Sequence, residues 1–148
     1  MLGFKDLTSR VGEFLFLWSA LELELARSIL TAEGHEADLT KVRGNLKDRL
    51  DRWKCLQFDD GNNELALDVA DQIERLRPVR NLIVHDLAGG HSAPNDGAEP
   101  YIECVEGGWQ SPTGEKRKIT VSELEHYIEA VDACRRGIRH PSNFNYRL

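Results

Sequence analysis

Three polar residues near the middle of the chain have types and a spacing that suit chemistry on a phosphate group. They are Arg80, Asn81 and His85, and they lie in an otherwise apolar segment. The imidazole of a histidine takes up or releases a proton near neutral pH, and a guanidinium can hold a phosphate through two hydrogen bonds. A helix would place Asn81 and His85 on one face, with Arg80 about 140° round the axis from His85 but long enough to reach back.

The segment that carries these residues is predicted to be the end of a third helix, which begins near Glu64. Its apolar residues recur every three or four positions and would turn one face to a core. They are Ile73, Leu76, Val79, Ile83 and Leu87. Pro78 predicts a kink or a short break, because proline removes a helical hydrogen bond and clashes with the preceding turn. Gly89-Gly90 is predicted to end the helix, which places His85 near its last turn.

The pattern Arg80-Asn81-x3-His85 resembles the R-x4-6-H motif of the HEPN superfamily, in which Asn, Asp or His usually follows the arginine. The resemblance implies a mainly α fold, a HEPN-like up-and-down bundle of about four to five helices. It also implies that Arg80, Asn81 and His85 are the catalytic residues of a metal-independent endoribonuclease. In such an enzyme the histidine takes a proton from the 2′-hydroxyl or gives one to the leaving 5′-oxygen, and the guanidinium stabilises the phosphate. A second such spacing, Arg135 to His140, precedes Pro141 after a predicted helix end.

The resemblance also predicts partners. HEPN ribonucleases commonly act as dimers that face two motifs into one cleft. The single motif histidine of one chain cannot easily be acid and base at once. We therefore expect a homodimer whose interface lies close to the third helix, with RNA as substrate and no cofactor or metal ion. A role as the toxin of a toxin–antitoxin or defence system would add a nucleotidyltransferase-like antitoxin as a partner.

Two further side chains are candidates for substrate binding. Arg77 stands in a basic cluster three residues before Arg80. Glu22 follows Trp18 by four residues and can lie at the edge of a groove that receives Arg80 or His85. The alternatives are a solvated basic face paired with neighbouring carboxylates for Arg77, and a solvent-facing helix carboxylate for Glu22.

Two readings of the motif other than catalysis remain open. In the first, His85 binds carbonyl groups at the helix end while Arg80 pairs with an acid such as Glu22. In the second, the chain is a non-catalytic HEPN-like helical interaction module that binds a protein partner, a nucleotide or RNA. A fold by itself does not decide between these functions.

Helical periodicity predicts most of the remaining scaffold. Apolar residues at a helical spacing predict one long amphipathic helix over Phe4–Ala32. A second helix is predicted over about Leu39–Gln57, and Gly44 is expected to weaken it without breaking it.

The second half of the chain mixes short strands with one more helix. Residues 88–100 are predicted to be a loop, which is a candidate lid beside the motif. A small β-hairpin or meander is predicted over about 100–121, because short runs are bounded by glycine and proline there. A last helix is predicted from Glu123, with Ser122 and Glu125 as a capping box. Residues of about 140–148 are predicted to be a flexible tail.

Length and composition bound the remaining possibilities. The 148 residues suit a single domain over 1–148, and 41% hydrophobic with 30% charged residues is ordinary for a soluble protein. Three widely spaced cysteines predict thiols in a reducing compartment, and hence a cytoplasmic location. The apolar stretch Phe14–Trp18 is too short to cross a bilayer, so no membrane partner is expected. A net charge of −6 argues against a broad nucleic-acid footprint, and no metal-binding signature is present.

Overall fold

The computed structural model of the protein describes residues 3–34, 42, 44–59, 61, 63–92, 97, 99–107 and 114–146. Along the chain the elements are α1 (Phe4–Ala32), α2 (Leu46–Asp59), α3 (Asn63–His85), β1 (Leu87–His91), β2 (Tyr101–Val105), β3 (Lys116–Thr120), α4 (Val121–Arg139) and a 3-10 helix (Pro141–Asn143). The prediction of a mainly helical protein with a small β insertion before the last helix is confirmed. None of the helices in these ranges combines the length and apolarity needed to span a membrane.

Helix α1 has the limits that its periodicity predicts. Its buried face repeats every three or four residues, as an amphipathic helix requires. The buried side chains on it include Leu7, Phe14, Trp18, Leu21, Leu25 and Ile29. Gly34 follows the helix with a φ of 73°, a left-handed conformation that glycine adopts without steric cost.

Helix α2 begins later than predicted. Gly44 has a φ of 96°, which is incompatible with a helix interior, so the prediction of a helix that runs through it is wrong. Asn45 then caps the helix: the Asp48 amide donates to Asn45 Oδ1 over 2.9 Å, and the Asn45 amide donates to Asp48 Oδ2 over 3.3 Å. These reciprocal bonds satisfy free amides at the helix start. The predicted start at Leu39 lies outside the described residues.

Helix α3 continues from Asn63 through Pro78 to His85. Of the two predicted alternatives at Pro78, the short break is therefore wrong, whereas the kink stays a prediction. The neighbouring Leu76 and Val79 are buried, so their packing offsets the one hydrogen bond that proline removes. The helix also ends before Gly89-Gly90, which belongs to β1 and not to a helix cap.

The three strands form one antiparallel sheet in the order β1-β2-β3. Strands β2 and β3 fall where the short runs bounded by glycine and proline predict them. Strand β1 lies in the segment predicted as a loop, and that prediction is wrong for residues 88–91. Its residues have little intrinsic preference for a strand, but β2 pairs with it, and the His91 ring stacks on Tyr101 with centroids 4.6 Å apart. The predicted strand at 109–111 lies outside the described residues, as do residues 93–96 and 98 of the candidate lid.

Helix α4 begins two residues earlier than predicted, and its capping box uses other residues. The Glu123 amide donates to Thr120 Oγ1 over 3.2 Å, and the Thr120 amide donates to Glu123 Oε2 over 3.0 Å. The box predicted from Ser122 and Glu125 is wrong. Ser122 instead donates its amide to Glu99 Oε1 over 2.8 Å and its hydroxyl to Glu99 Oε2 over 3.1 Å. Both bonds lower the pKa of the Glu99 carboxyl, and the bond from the Ser122 amide has the larger effect.

Residues 140–146, which follow α4, fold back onto it, and residues 147–148 of the predicted tail lie outside the described residues. Pro141–Asn143 forms the 3-10 helix, and Phe144 is buried, where a flexible tail was predicted from the sequence. A Cβ atom on Gly137 would lie 2.7 Å from Phe144 Cδ2 and 3.0 Å from Val69 Cγ2. Glycine at this helical position therefore makes room for the aromatic ring.

The chain divides into two compact units by its internal contacts. The first contains Met1–Phe16 and Leu76–Glu129, and the second contains Leu17–Arg75 and Ala130–Leu148. The first unit holds the sheet and the Arg80 to His85 segment. The second holds α2, most of α1 and the first part of α3.

Two helical glycines allow a matched test of this packing. Gly137→Ala should lower the free energy of unfolding by about 1–3 kcal/mol, because the added methyl group overlaps the Phe144 ring. Gly12→Ala should raise it by about 0.5–1 kcal/mol, because Gly12 is an exposed helical residue with nothing within 4 Å of its Cβ position. Urea titration measures both changes. A gain of stability in Gly137→Ala would contradict the tight contact with Phe144.

Candidate functional site

The backbone at His85 is held between a helix and a sheet. His85 is the last residue of α3, and the amide of the next residue, Asp86, donates to the Leu82 carbonyl over 2.9 Å. The Asp86 carbonyl in turn accepts a hydrogen bond of 2.8 Å from the Val105 amide of β2. The chain direction is therefore set directly after His85, while its side chain is exposed.

Arg80 and Asn81 form a pair on the same helix. Arg80 Nη1 donates to Asn81 Oδ1 over 3.1 Å. This bond orients one edge of the guanidinium and leaves its other N–H groups for a ligand. The amide oxygen of Asn81 thus binds the arginine of the motif.

The positive charge of Arg80 has no carboxylate partner within the described part of the chain, where Asn81 is its only bonded neighbour. Many other arginines are neutralised. They form the ion pairs Arg10–Glu125, Arg52–Glu33, Arg75–Asp71, Arg135–Asp132, Arg136–Asp132 and Arg139–Glu24. The His85 imidazole likewise makes no hydrogen bond to the described residues. Both groups of the motif are thus available to bind something else.

The second Arg–His spacing differs in this respect. Arg135 Nε and Nη2 both donate to Asp132 Oδ1, over 3.2 and 2.7 Å. The guanidinium is held by a carboxylate, and His140 lies beyond the end of α4. The charge that a phosphate would need is therefore already neutralised at this position.

The two candidate substrate-binding residues lie in different units. Arg77 is one helical turn before Arg80 in the first unit and is partly buried. Glu22 belongs to the second unit, where its carboxylate accepts a hydrogen bond of 3.1 Å from Trp18 Nε1.

Two of the cysteines, Cys104 and Cys134, are buried thiols. Burial raises the pKa of the Cys134 thiol in the second unit to about 12. In the first unit, burial and then the charge of Asp86 raise the pKa of Cys104. A thiol with a raised pKa is a poor source of thiolate. Within the described residues, His, Cys, Asp and Glu side chains form no group of three or more that could hold a metal ion.

An apolar groove near the motif is a feature that the sequence prediction missed. It has a volume of about 330 Å³ and lies between the start of α1 and β1. Its lining includes Phe4, Leu7, Val11, Leu87 and Gly90. The prediction assigned Leu87 to a buried helix face, whereas its exposed fraction is 41%. Only the pairing of β1 with β2 brings this residue to the groove.

No family model, curated protein or solved structure matches the chain.

His85 is exposed, and Arg80 is half-buried without an ion pair to the described residues, so both side chains are expected to contribute little to folding. Arg80→Ala and His85→Ala should each change the free energy of unfolding by no more than about 0.5 kcal/mol. Arg52→Ala is the contrasting variant and should cost about 1 kcal/mol, because Arg52 Nε donates to Glu33 Oε1 over 2.5 Å in a partly buried pair. Urea titration compares the three. A loss in Arg80→Ala that equals that of Arg52→Ala would assign Arg80 a structural role.

Proposed function

We propose that the protein is a metal-independent endoribonuclease of the HEPN type, with Arg80, Asn81 and His85 at its site. The observation that supports this most is the guanidinium of Arg80, which is oriented by Asn81 and has no carboxylate partner among the described residues, on the same helical segment as the exposed imidazole of His85. Phosphate recognition needs such a charge, and proton transfer needs such a histidine.

The proposed reaction uses the 2′-hydroxyl of RNA as the nucleophile. A His85 imidazole removes the hydroxyl proton, the 2′-oxygen bonds to phosphorus, and the bond from phosphorus to the 5′-oxygen breaks. A protonated imidazole gives its proton to that 5′-oxygen, so the products are a 2′,3′-cyclic phosphate and a 5′-hydroxyl. Arg80 binds the non-bridging oxygens, where charge increases in the transition state. No metal ion is required.

A second copy of the chain supplies the second histidine in this proposal. In a two-fold dimer, the same surface of each protomer contacts the other, so two motifs can face one cleft. Apolar surface for such a contact exists next to the motif. Val84, directly before His85, has an exposed fraction of 43%, and Leu87, two residues after it, has one of 41%.

The biological setting that accompanies this activity is a toxin of a toxin–antitoxin or defence system in the cytoplasm. In that setting a nucleotidyltransferase-like antitoxin is the expected partner. Its binding would prevent cleavage by covering the motif or by separating the dimer.

The second candidate function is a non-catalytic helical interaction module. The apolar groove favours it, because Phe4 at its rim has an exposed fraction of 60% and contiguous exposed apolar surface commonly marks a protein interface. This candidate predicts binding to a protein partner without any cleavage of RNA.

Cleavage of mixed RNA in EDTA tests the enzymatic proposal directly. The wild type should cleave, and His85→Ala and Arg80→Ala should lose at least about 100-fold in rate, as expected for removal of an acid–base group or a phosphate-binding charge. Arg80→Lys should also be impaired, because a point charge does not replace the planar guanidinium. End-group analysis should find the cyclic phosphate.

His140→Ala is the matched control, because this histidine belongs to the spacing whose Arg135 is held by Asp132. Its cleavage rate should equal that of the wild type. Equal cleavage by wild type and His85→Ala would assign the activity to a contaminant. No cleavage by a correctly folded wild type would favour the interaction module.

Light scattering at micromolar concentration tests the dimer. The wild type should be a dimer, and Val84→Glu should be monomeric and inactive, because the new carboxylate would be buried without a partner. Leu67→Glu is the matched control, since Leu67 is a residue of the same helix with a similar exposed fraction, 46%, in the other unit. A monomeric wild type, or Val84→Glu that stays dimeric, would contradict an interface beside the motif.

A further inference from the structure

A polar cavity in the second compact unit takes no part in the proposed nuclease site. Its volume is about 460 Å³, within the range of roughly 300–1,000 Å³ that small-molecule sites occupy. The polar residues that line it are Glu24, Arg27, Ser28, Thr31, Gln57 and Arg139.

Three helices place these groups around one space. Helix α1 supplies Glu24, Arg27, Ser28 and Thr31, whose spacing of three and four residues puts them on one face. Gln57 comes from α2 and Arg139 from α4. The α1 residues form a pattern that is visible in the sequence, but it indicates a site only when the other two helices close the space.

Among the described residues, the lining of the cavity contains two guanidinium groups and one carboxylate. Arg139 Nε is 3.4 Å from Glu24 Oε1, an ion pair that occupies one edge of that guanidinium. Arg27 is exposed and makes no hydrogen bond or ion pair to the described residues. One of the two positive charges that line the cavity is therefore not balanced.

The hydroxyl groups add further donors. Ser28 Oγ accepts a hydrogen bond of 3.2 Å from Trp53 Nε1, so its own proton can be donated to a ligand. Thr31 adds a second hydroxyl on the same face. Two guanidiniums and two hydroxyls against one carboxylate make this a donor-rich site, which suits an anion with several acceptor oxygens.

We propose that this cavity binds a small molecule that carries a phosphate group. The phosphate would lie against Arg27 and Arg139, because guanidinium groups bind phosphate oxygens through two parallel hydrogen bonds. The carboxylate of Glu24 can accept a hydrogen bond from a hydroxyl elsewhere on the same molecule. The inference does not depend on nuclease activity, and its test measures binding alone.

Calorimetric titration of the full chain with inorganic phosphate and with adenosine 5′-monophosphate tests the site, at constant ionic strength set with NaCl. Saturable binding of at least one probe is expected. Arg27→Gln should weaken binding at least about tenfold. Arg27→Lys should weaken it less, because lysine keeps the positive charge but cannot form two parallel hydrogen bonds to the phosphate. Glu24→Gln should strengthen binding of inorganic phosphate severalfold, because it removes the one negative charge from the lining. A purely structural role of Glu24 would not produce this gain.

Arg75→Gln is the matched control, since Arg75 is an exposed arginine of the same unit paired with Asp71. It should bind both probes like the wild type, and amide shifts in an NMR titration should map to residues 24–32 and 57. Tighter binding of the nucleotide would assign a phosphorylated metabolite as ligand, and equal binding would assign the free anion. The proposal is overturned if neither probe saturates, if Arg27→Gln and Arg27→Lys both bind like the wild type, or if the shifts map to residues 80–86 alone.

Discussion

The arrangement of the first unit depends on two hydrogen bonds at Asp86. Its amide closes the last turn of α3 on Leu82, and its carbonyl accepts the amide of Val105 in β2. Because one residue joins the helix end to the sheet, β1 must start at once, and His85 becomes the terminal helical residue. The exposed position of the histidine, the edge strand and the apolar groove all follow from this junction.

The arginines fall into two groups: those paired with a carboxylate, which stabilise the fold, and those without such a partner among the described residues, which can bind a ligand. Arg10 pairs with Glu125 within the first unit, and Arg52 pairs with Glu33 within the second. Arg80 and Arg27 have no such partner among the described residues. Fixed carboxylates would compete with phosphate for a guanidinium, so these two arginines are the natural anchors for the two proposed sites.

Local capping explains the predicted boundaries that shifted. Helix α2 starts where Asn45 and Asp48 exchange hydrogen bonds, and α4 starts where Thr120 and Glu123 do. Several residues near each start could serve as caps, and sequence alone does not choose between them. The rest of the fold makes the choice. The sequence pattern favoured Ser122 as the cap of α4, but the amide and hydroxyl of Ser122 donate to the Glu99 carboxylate instead.

The sequence by itself determined α1, the existence of α3, the strands β2 and β3, and the helical placement of Arg80, Asn81 and His85. These features depend on periodicity and local preference, which a short segment carries within itself. The tertiary structure decided the rest. Strand β1 exists because β2 pairs with it, and α2 is shortened by the positive φ of Gly44. Within the described part of the chain, Arg80 lacks the carboxylate partner that other arginines have, some of them from distant positions in the sequence. Pairing between residues far apart in sequence leaves no periodic signal, so only the folded chain reveals it.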